Sequence, residues 1–284
     1  MLSRVLQGVL CLGLLLPVAC HAPMDPKKSA QAKADASAMM QALQLSNVKD
    51  YRARSLPPPD YRRMQAGWTA IRAKMQASAE EQARFNALLR RFTEPKAEAH
   101  LQRDLNAKIK PINSEIKNKW PLMQTSLTLL LQGWVETNPQ LSTSEKAHGK
   151  ALVKAIISQM PAEWLQDQAL RQKAFDQMVR IARDTEVPDY QTYSALDYEQ
   201  FNYKLANFID GLKTLGRIYG LDWNAGIQRR TLQVTAQSGN TATVRIRYPL
   251  GKKWVEFPMD LIEYQGRWYD ASAAQLLNDT LATP

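Results

Sequence analysis

Apolar positions recur every three or four residues through most of this chain and every second residue near its end. From residue 60 onward, Tyr61, Met64, Trp68, Ile71 and Met75 step by three and four; the register passes polar Ser78 and Gln82 and resumes at Phe85, Leu89 and Phe92. Such spacing lines one side of a helix, so a long helix is predicted over 60–92, capped by Asp60, with a bend or the start of a second helix at Ser78–Glu81. Leu101, Leu105, Ile109, Ile112, Ile116 and Trp120 outline the next helix, interrupted at Pro111. Pro121 suits the first turn of a further helix carrying Leu122, Leu127, Leu129, Leu130, Leu131 and Trp134. That helix is apolar nearly all round and is therefore expected to be buried.

Ser142 or Ser144 can cap a helix carrying Leu152, Val153, Ile156 and Ile157, and Pro161 opens another that runs toward Ala182. Residues 184–194 read as a loop. Tyr198, Phe201, Leu205, Phe208, Leu212, Leu215 and Tyr219 make the cleanest helical stripe in the chain, stopped by Gly220. The period then becomes two. Leu232, Val234 and Ala236 alternate with polar residues, as do Ala242, Val244, Ile246 and Tyr248, and then Val255, Phe257, Met259 and Leu261. Turns fall at Ser238–Asn240, Leu250–Lys252 and Gln265–Gly266, and a short fourth strand at Trp268–Tyr269 precedes a last helix over 271–281. Pro258 marks the third strand as an edge or a bulge. Helices followed by a three- to four-stranded antiparallel meander predict an α+β fold.

The closing segment Ile262-Glu263-Tyr264-Gln265-Gly266-Arg267-Trp268-Tyr269-Asp270 resembles the final hairpin of NTF2-like (cystatin-like) α+β roll domains. Over about the last 90 residues, the resemblance implies a cone-shaped pocket between the preceding long helix and the sheet. Such folds host enzymes, ligand carriers and interaction modules.

The front of the chain reads differently. Arg4, an apolar run from Val5 to Val18 and small residues after it form a secretory signal over 1–22, too short to span a bilayer at roughly 20 apolar residues. Lipid anchoring at Cys20 is the less favoured reading, because Pro17 stands where an aliphatic residue is wanted. The mature protein is expected to be periplasmic or secreted, with no transmembrane helix. Both cysteines, Cys11 and Cys20, fall in or beside the signal, so no disulfide staples the mature chain. Residues 23–59 read as a polar tether over 23–35, a short helix at Met39–Leu45 and a stiff Pro57-Pro58-Pro59 linker. The expected divisions are therefore the signal 1–22, tether and linker 23–59, a helical region 60–194, and a helix plus meander 195–284.

Charge is uneven. Residues 23–120 hold 19 Lys+Arg and 10 Asp+Glu, a net charge of +9, whereas residues 121–284 hold 17 of each. A field of one sign favours anionic partners, and in an exported protein these are an anionic envelope component or an acidic protein rather than nucleic acid. Arg52, Arg54, Arg62, Arg63, Arg90 and Arg91 are the candidate contacts on a basic helical face.

Other chemistry is sparse. His100 and His148 have no paired ligands, no zinc-type cluster or phosphate-binding glycine loop occurs, and no cofactor is implied. Both histidines are expected on helix surfaces. Asp184, Glu186, Asp189, Asp197 and Glu199 interleave with Tyr190, Tyr193, Tyr198 and Tyr203, and two carboxylates among aromatics could hydrolyse a glycan. Asp189, Tyr190, Tyr193, Asp197 and Tyr198 are the pocket candidates, although capping and packing explain the same residues. Three functions stay open: a non-enzymatic binding module with a basic face, a periplasmic glycan or peptidoglycan hydrolase using residues 184–203, and a carrier of a small apolar ligand.

Overall fold

Asp25 accepts hydrogen bonds from the Lys27 and Lys28 N–H groups and, with Pro26 in the first turn, opens α1, Pro26–Gln44. The structure, a computed structural model, describes residues 24–282 except 75, 113 and 114. The signal expected over 1–22, with Cys20, and the Met75 position lie outside the described residues. The tether expected over 23–35 is corrected, because Ala32, Ala36, Met39, Met40 and Ala42 of α1 are at most 1% exposed and belong to the main core. A Lys/Ala/Ser composition reads as linker, but alanines spaced by four let a helix lie close against its neighbour. Asp35, also buried, accepts hydrogen bonds from the Trp268 N–H at 2.9 Å and from Gln31 Nε2 at 3.0 Å.

Asn47 caps α2, Val48–Ser55, and Pro57 leads in extended geometry into α3, Pro58–Ala66, so the prolines do break the chain. The stretch expected over 60–92 as one long helix, or two divided at Ser78–Glu81, is three helices. Gly67 ends α3, α4 spans Trp68–Lys74, and a Ser78/Glu81 capping box opens α5, Ala79–Thr93, at the predicted bend. Met64, Trp68 and Ile71 bury against Leu56, Tyr198 and Leu277, whereas no residue of α5 is buried. α6, Ala97–Ile109, ends in a 3-10 turn at Lys110–Ile112 that contains Pro111.

α7, Ile116–Thr137, starts ahead of Pro121, so that proline lies inside the helix rather than at its start. Ile116 and Trp120 bury with Ala162, and Trp120 Nε1 donates to the Met160 carbonyl at 2.8 Å, which extends the helix upstream despite the donor that Pro121 lacks. The expected burial of α7 is also corrected: Leu122, Leu129, Leu130 and Trp134 are 66–70% exposed. The side of α7 that holds Trp120 and Val135 meets protein; the opposite side does not.

A Ser142/Glu145 capping box opens α8, Thr143–Ile157. The helix expected from Pro161 splits at Asp167 into α9, Glu163–Gln166, and α10, Gln168–Asp184, with Asp167 capping the second. The expected loop carries α11, Tyr190–Ala195; α12, Tyr198–Ile218, follows prediction, and α13, Trp223–Gln228, had no periodic signal. A Cβ on Gly226 would stand 2.1 Å from the Pro249 carbonyl oxygen, so only glycine lets α13 approach that strand.

The strands β1, Thr231–Ser238, β2, Thr241–Leu250, β3, Lys253–Tyr264, and β4, Arg267–Asp270, form an antiparallel sheet in that order, followed by α14, Ala271–Ala282. The architecture is α+β. Val244, Ile246, Tyr248, Val255, Phe257 and Met259 point into the core under α1 and α8, while Glu256 and Asp260 face solvent as their parity predicts. β4 pairs only with Leu261–Tyr264, so Pro258 lies on a stretch of β3 with no strand on its far side and forfeits no ladder bond.

His148 departs from the expected surface position. Its ring stacks on Phe257 with centroids 4.2 Å apart, and Nε2 lies 2.6 Å from the Tyr248 hydroxyl. Desolvation pulls its pKa down to about 4, so the folded ring is neutral and Nε2 can accept the Tyr248 O–H. The folded-state value lies below the unfolded 6.5, so the unfolded chain takes up the proton first as pH falls. Stability is full above pH 6.5 and is expected to drop by up to about 3 kcal/mol on the way to pH 4. Urea midpoints at stepped pH check this; His148→Gln should flatten that window. His100 does sit near the surface, with Nδ1 2.8 Å from Glu94 Oε1.

Candidate functional site

α5 and α12 both pack on α10 but leave a channel between them. Its floor forms where α12 meets α10 closely: a Cβ on Gly211 would fall 2.4 Å from Ile181 Cγ1. Phe85, Leu88, Leu89 and Phe92 come from α5, Met178 and Ile181 from α10, and Leu205, Phe208, Leu212 and Leu215 from the stripe of α12, with Trp134 of α7 at the edge. The groove encloses about 640 Å³ and, among the described residues, its one charged lining residue is Lys204, whose Nζ meets Glu186 Oε2 at 2.6 Å.

A second cavity of about 410 Å³ lies across Tyr193, Phe201 and Leu205, which line both spaces. Its apolar walls include Leu56, Met64, Trp68 and Leu277, and its polar lining includes Arg52, Gln140 and Glu145. Two guanidinium groups stack on the aromatic wall between the cavities. Arg52 lies 5.5 Å from the Phe201 ring centre and 5.9 Å from Trp68; Arg72 lies 4.4 Å from Tyr193 and 5.3 Å from Phe201. Arg72 also donates to the Tyr193 carbonyl at 2.5 Å. Arg52 has only the Met64 sulfur within hydrogen-bonding reach, at 3.9 Å, and no carboxylate among the described residues.

The six arginines named from sequence do not form one face, which corrects that expectation. Arg52 enters the second cavity. Arg54 pairs with Asp50 at 2.7 Å, Arg63 with Asp60 at 2.9 Å, and Arg91 with Asp104 at 2.6 Å, whereas Arg62 and Arg90 are exposed with no ion pair among the described residues. Arg90 and Arg91 ride on α5, which packs on α6, α10 and α11, while the others lie on α2 and α3. Net charge counted along a chain does not say which helices share a surface.

Four of the five carboxylates named in 184–203 are spent on structure. Asp189 caps α11 through the Thr192 N–H at 2.7 Å, which holds its pKa below the usual range, and Asp197 caps α12 through the Gln200 N–H at 2.7 Å. Glu186 pairs with Lys204 and Glu199 with Lys49. None of these acids lines either cavity. Tyr190 is buried, with its hydroxyl accepting the Ala77 N–H at 2.7 Å; Tyr198 packs edge-on against Trp68; of the tyrosines named, only Tyr193 reaches the cavities.

Sequence reasoning passed over the acids that are electrostatically unusual. Burial raises the pKa of Glu145, and Asp270 adds to the rise. Asp270 is wholly buried; burial raises its pKa although its Oδ1 accepts from the Ser272 N–H and hydroxyl, the Ala273 N–H and the Ser144 hydroxyl. Their local signals were legible as caps, Ser142-x-x-Glu145 and an aspartate just before α14, but not their proximity. Comparison with family models, curated proteins and solved structures finds no match.

Proposed function

We propose that this chain is an exported, non-catalytic binding protein for an amphipathic molecule with an apolar chain and an anionic group. One observation carries the reading: the apolar groove shares Tyr193, Phe201 and Leu205 with a cavity in which Arg52 has no carboxylate within ion-pairing distance, Glu145 on the same lining being held by the Ser142 N–H at 2.8 Å. Small-molecule sites enclose roughly 300–1,000 Å³ and pair apolar walls with a few polar groups, and both spaces fall within that range. An arginine held against aromatic rings is weakly hydrated and presents a planar fork to an oxyanion. The apolar leader over 1–22 supports the exported location, periplasmic or secreted.

Displacement of a fluorescent long-chain fatty acid tests it. Phe208 is 41% exposed on the groove wall, and Phe208→Glu should weaken fatty-acid binding at least about tenfold. Arg52→Gln should weaken the acid by about tenfold while leaving the matching fatty alcohol unchanged. Equal displacement curves for wild type and Phe208→Glu would end this reading.

A further inference from the structure

The outer face of α7 carries more apolar surface than its neighbours cover. Leu122, Leu129, Leu130 and Trp134 fall on one side with Ser126 and Gly133 between them, and a Cβ on Gly133 would meet nothing within 4 Å. The opposite side is held to protein: Gln124 Nε2 donates to the Ile157 and Met160 carbonyls, both at 2.8 Å, and Val135 packs against Gly149. The stripe from residue 122 to 134 runs about 18 Å along the helix.

A lysine row on α8 borders this stripe. Lys146, Lys150 and Lys154 repeat every four residues along α8, which packs beside α7, and Lys150 meets Glu136 at the border at 2.5 Å. Lys108 and Lys110 are exposed on the segment leading into α7. Lys108, Lys110 and Lys154 have no carboxylate partner among the described residues, and Glu136 is already taken by Lys150.

We infer that the Leu122–Trp134 face of α7 docks flat on an anionic lipid bilayer, with the flanking lysines on its headgroups. Charge selects this occupant. An antiparallel two-fold pairing of the face with a second copy would bring the lysine rows together, whereas anionic headgroups complement them in any orientation. No helix among the described residues is long and apolar enough to cross a membrane, so the face lies on the surface rather than spanning it. Trp134 belongs to both the stripe and the groove edge, so docking places the groove mouth beside the lipid. The inference stands on α7 and its lysines and goes beyond the ligand reading.

Co-sedimentation with vesicles tests it. Wild type should bind vesicles of mixed phosphatidylglycerol and phosphatidylcholine, lose binding as salt rises, and bind phosphatidylcholine alone weakly. Leu129→Glu/Leu130→Glu should lower partitioning at least about tenfold, and Lys146→Glu/Lys154→Glu at least about tenfold on the anionic vesicles. Circular dichroism and the thermal midpoint should stay unchanged in the leucine pair, whose side chains are exposed. Phe208→Glu should keep vesicle binding while losing the fatty acid, and the leucine pair should do the reverse, so the two readings fail separately. Absence of wild-type binding, equal binding by wild type and both variants, or equal binding to neutral vesicles overturns the inference. So does a wild-type dimer in light scattering that the leucine pair dissolves, since a second copy would then cover the stripe.

Discussion

Replacing Met39 and Met40 together by alanine is expected to cost about 3 kcal/mol at each position, because both side chains are fully buried in the main core. A domain of this kind is stable by roughly 5–15 kcal/mol, so the double variant should lose a large part of its stability. Met39 and Met40 lie on α1, in the segment whose composition suggests a tether and a short helix, so the measurement separates a structural helix from a loose leader. Urea titration followed by far-ultraviolet circular dichroism is the check. A midpoint within error of wild type would mean that α1 contributes nothing to the core. Asp35 tightens the same element, since its carboxylate satisfies the Trp268 N–H of the short edge strand.

The second large effect comes from Lys213, only 3% exposed on α12. Its ammonium donates to the Leu43 and Gln44 carbonyls at 2.6 and 2.9 Å and to the Ser46 hydroxyl at 2.8 Å. These groups close the C-terminal end of α1, where carbonyls lack helical partners and the dipole favours a cation. Three donors thus meet three acceptors. Lys213→Met keeps the length of the stem and strips the donors, leaving buried acceptors unpaired at a cost of about 3 kcal/mol. Burial pulls the Lys213 pKa down to about 8 from 10.5, so the group stays charged at neutral pH. The folded state therefore releases its proton before the unfolded chain does, and wild-type stability relative to Lys213→Met should rise between pH 8 and 10.5. Guanidinium unfolding of both proteins across that range measures it; parallel curves would show that the lysine does not titrate as its burial implies.

Some of this architecture was legible because its signals are local. The period-two alternation from Leu232 to Leu261 and the intervening turns predicted the meander, and the stripe from Tyr198 to Tyr219 with Gly220 predicted α12 nearly to its ends. Ser142 and the Ser78–Glu81 turn foretold helix starts, since a cap needs only residues three apart. The candidate site was legible only in fragments. Arg52 and Tyr193 were singled out, but nothing in the α5, α10 and α12 stripes says that they leave a groove between them. Periodicity tells which side of a helix is apolar and not whether a neighbour arrives to cover it.

By itself, then, the sequence determined the order of helices before strands, the faces of the sheet, the helix caps and the concentration of positive charge in the first third, because each depends on spacing or composition along the chain. Tertiary structure alone decided that α1 is core, that α7 shows its leucines to solvent, that His148 and Lys213 are desolvated, and that Arg52 opens into a cavity with no carboxylate within ion-pairing distance. Burial and electrostatic environment come from residues tens to hundreds of positions apart, such as Lys213 with Leu43 or His148 with Tyr248. Which of those meet is fixed only when the helices pack.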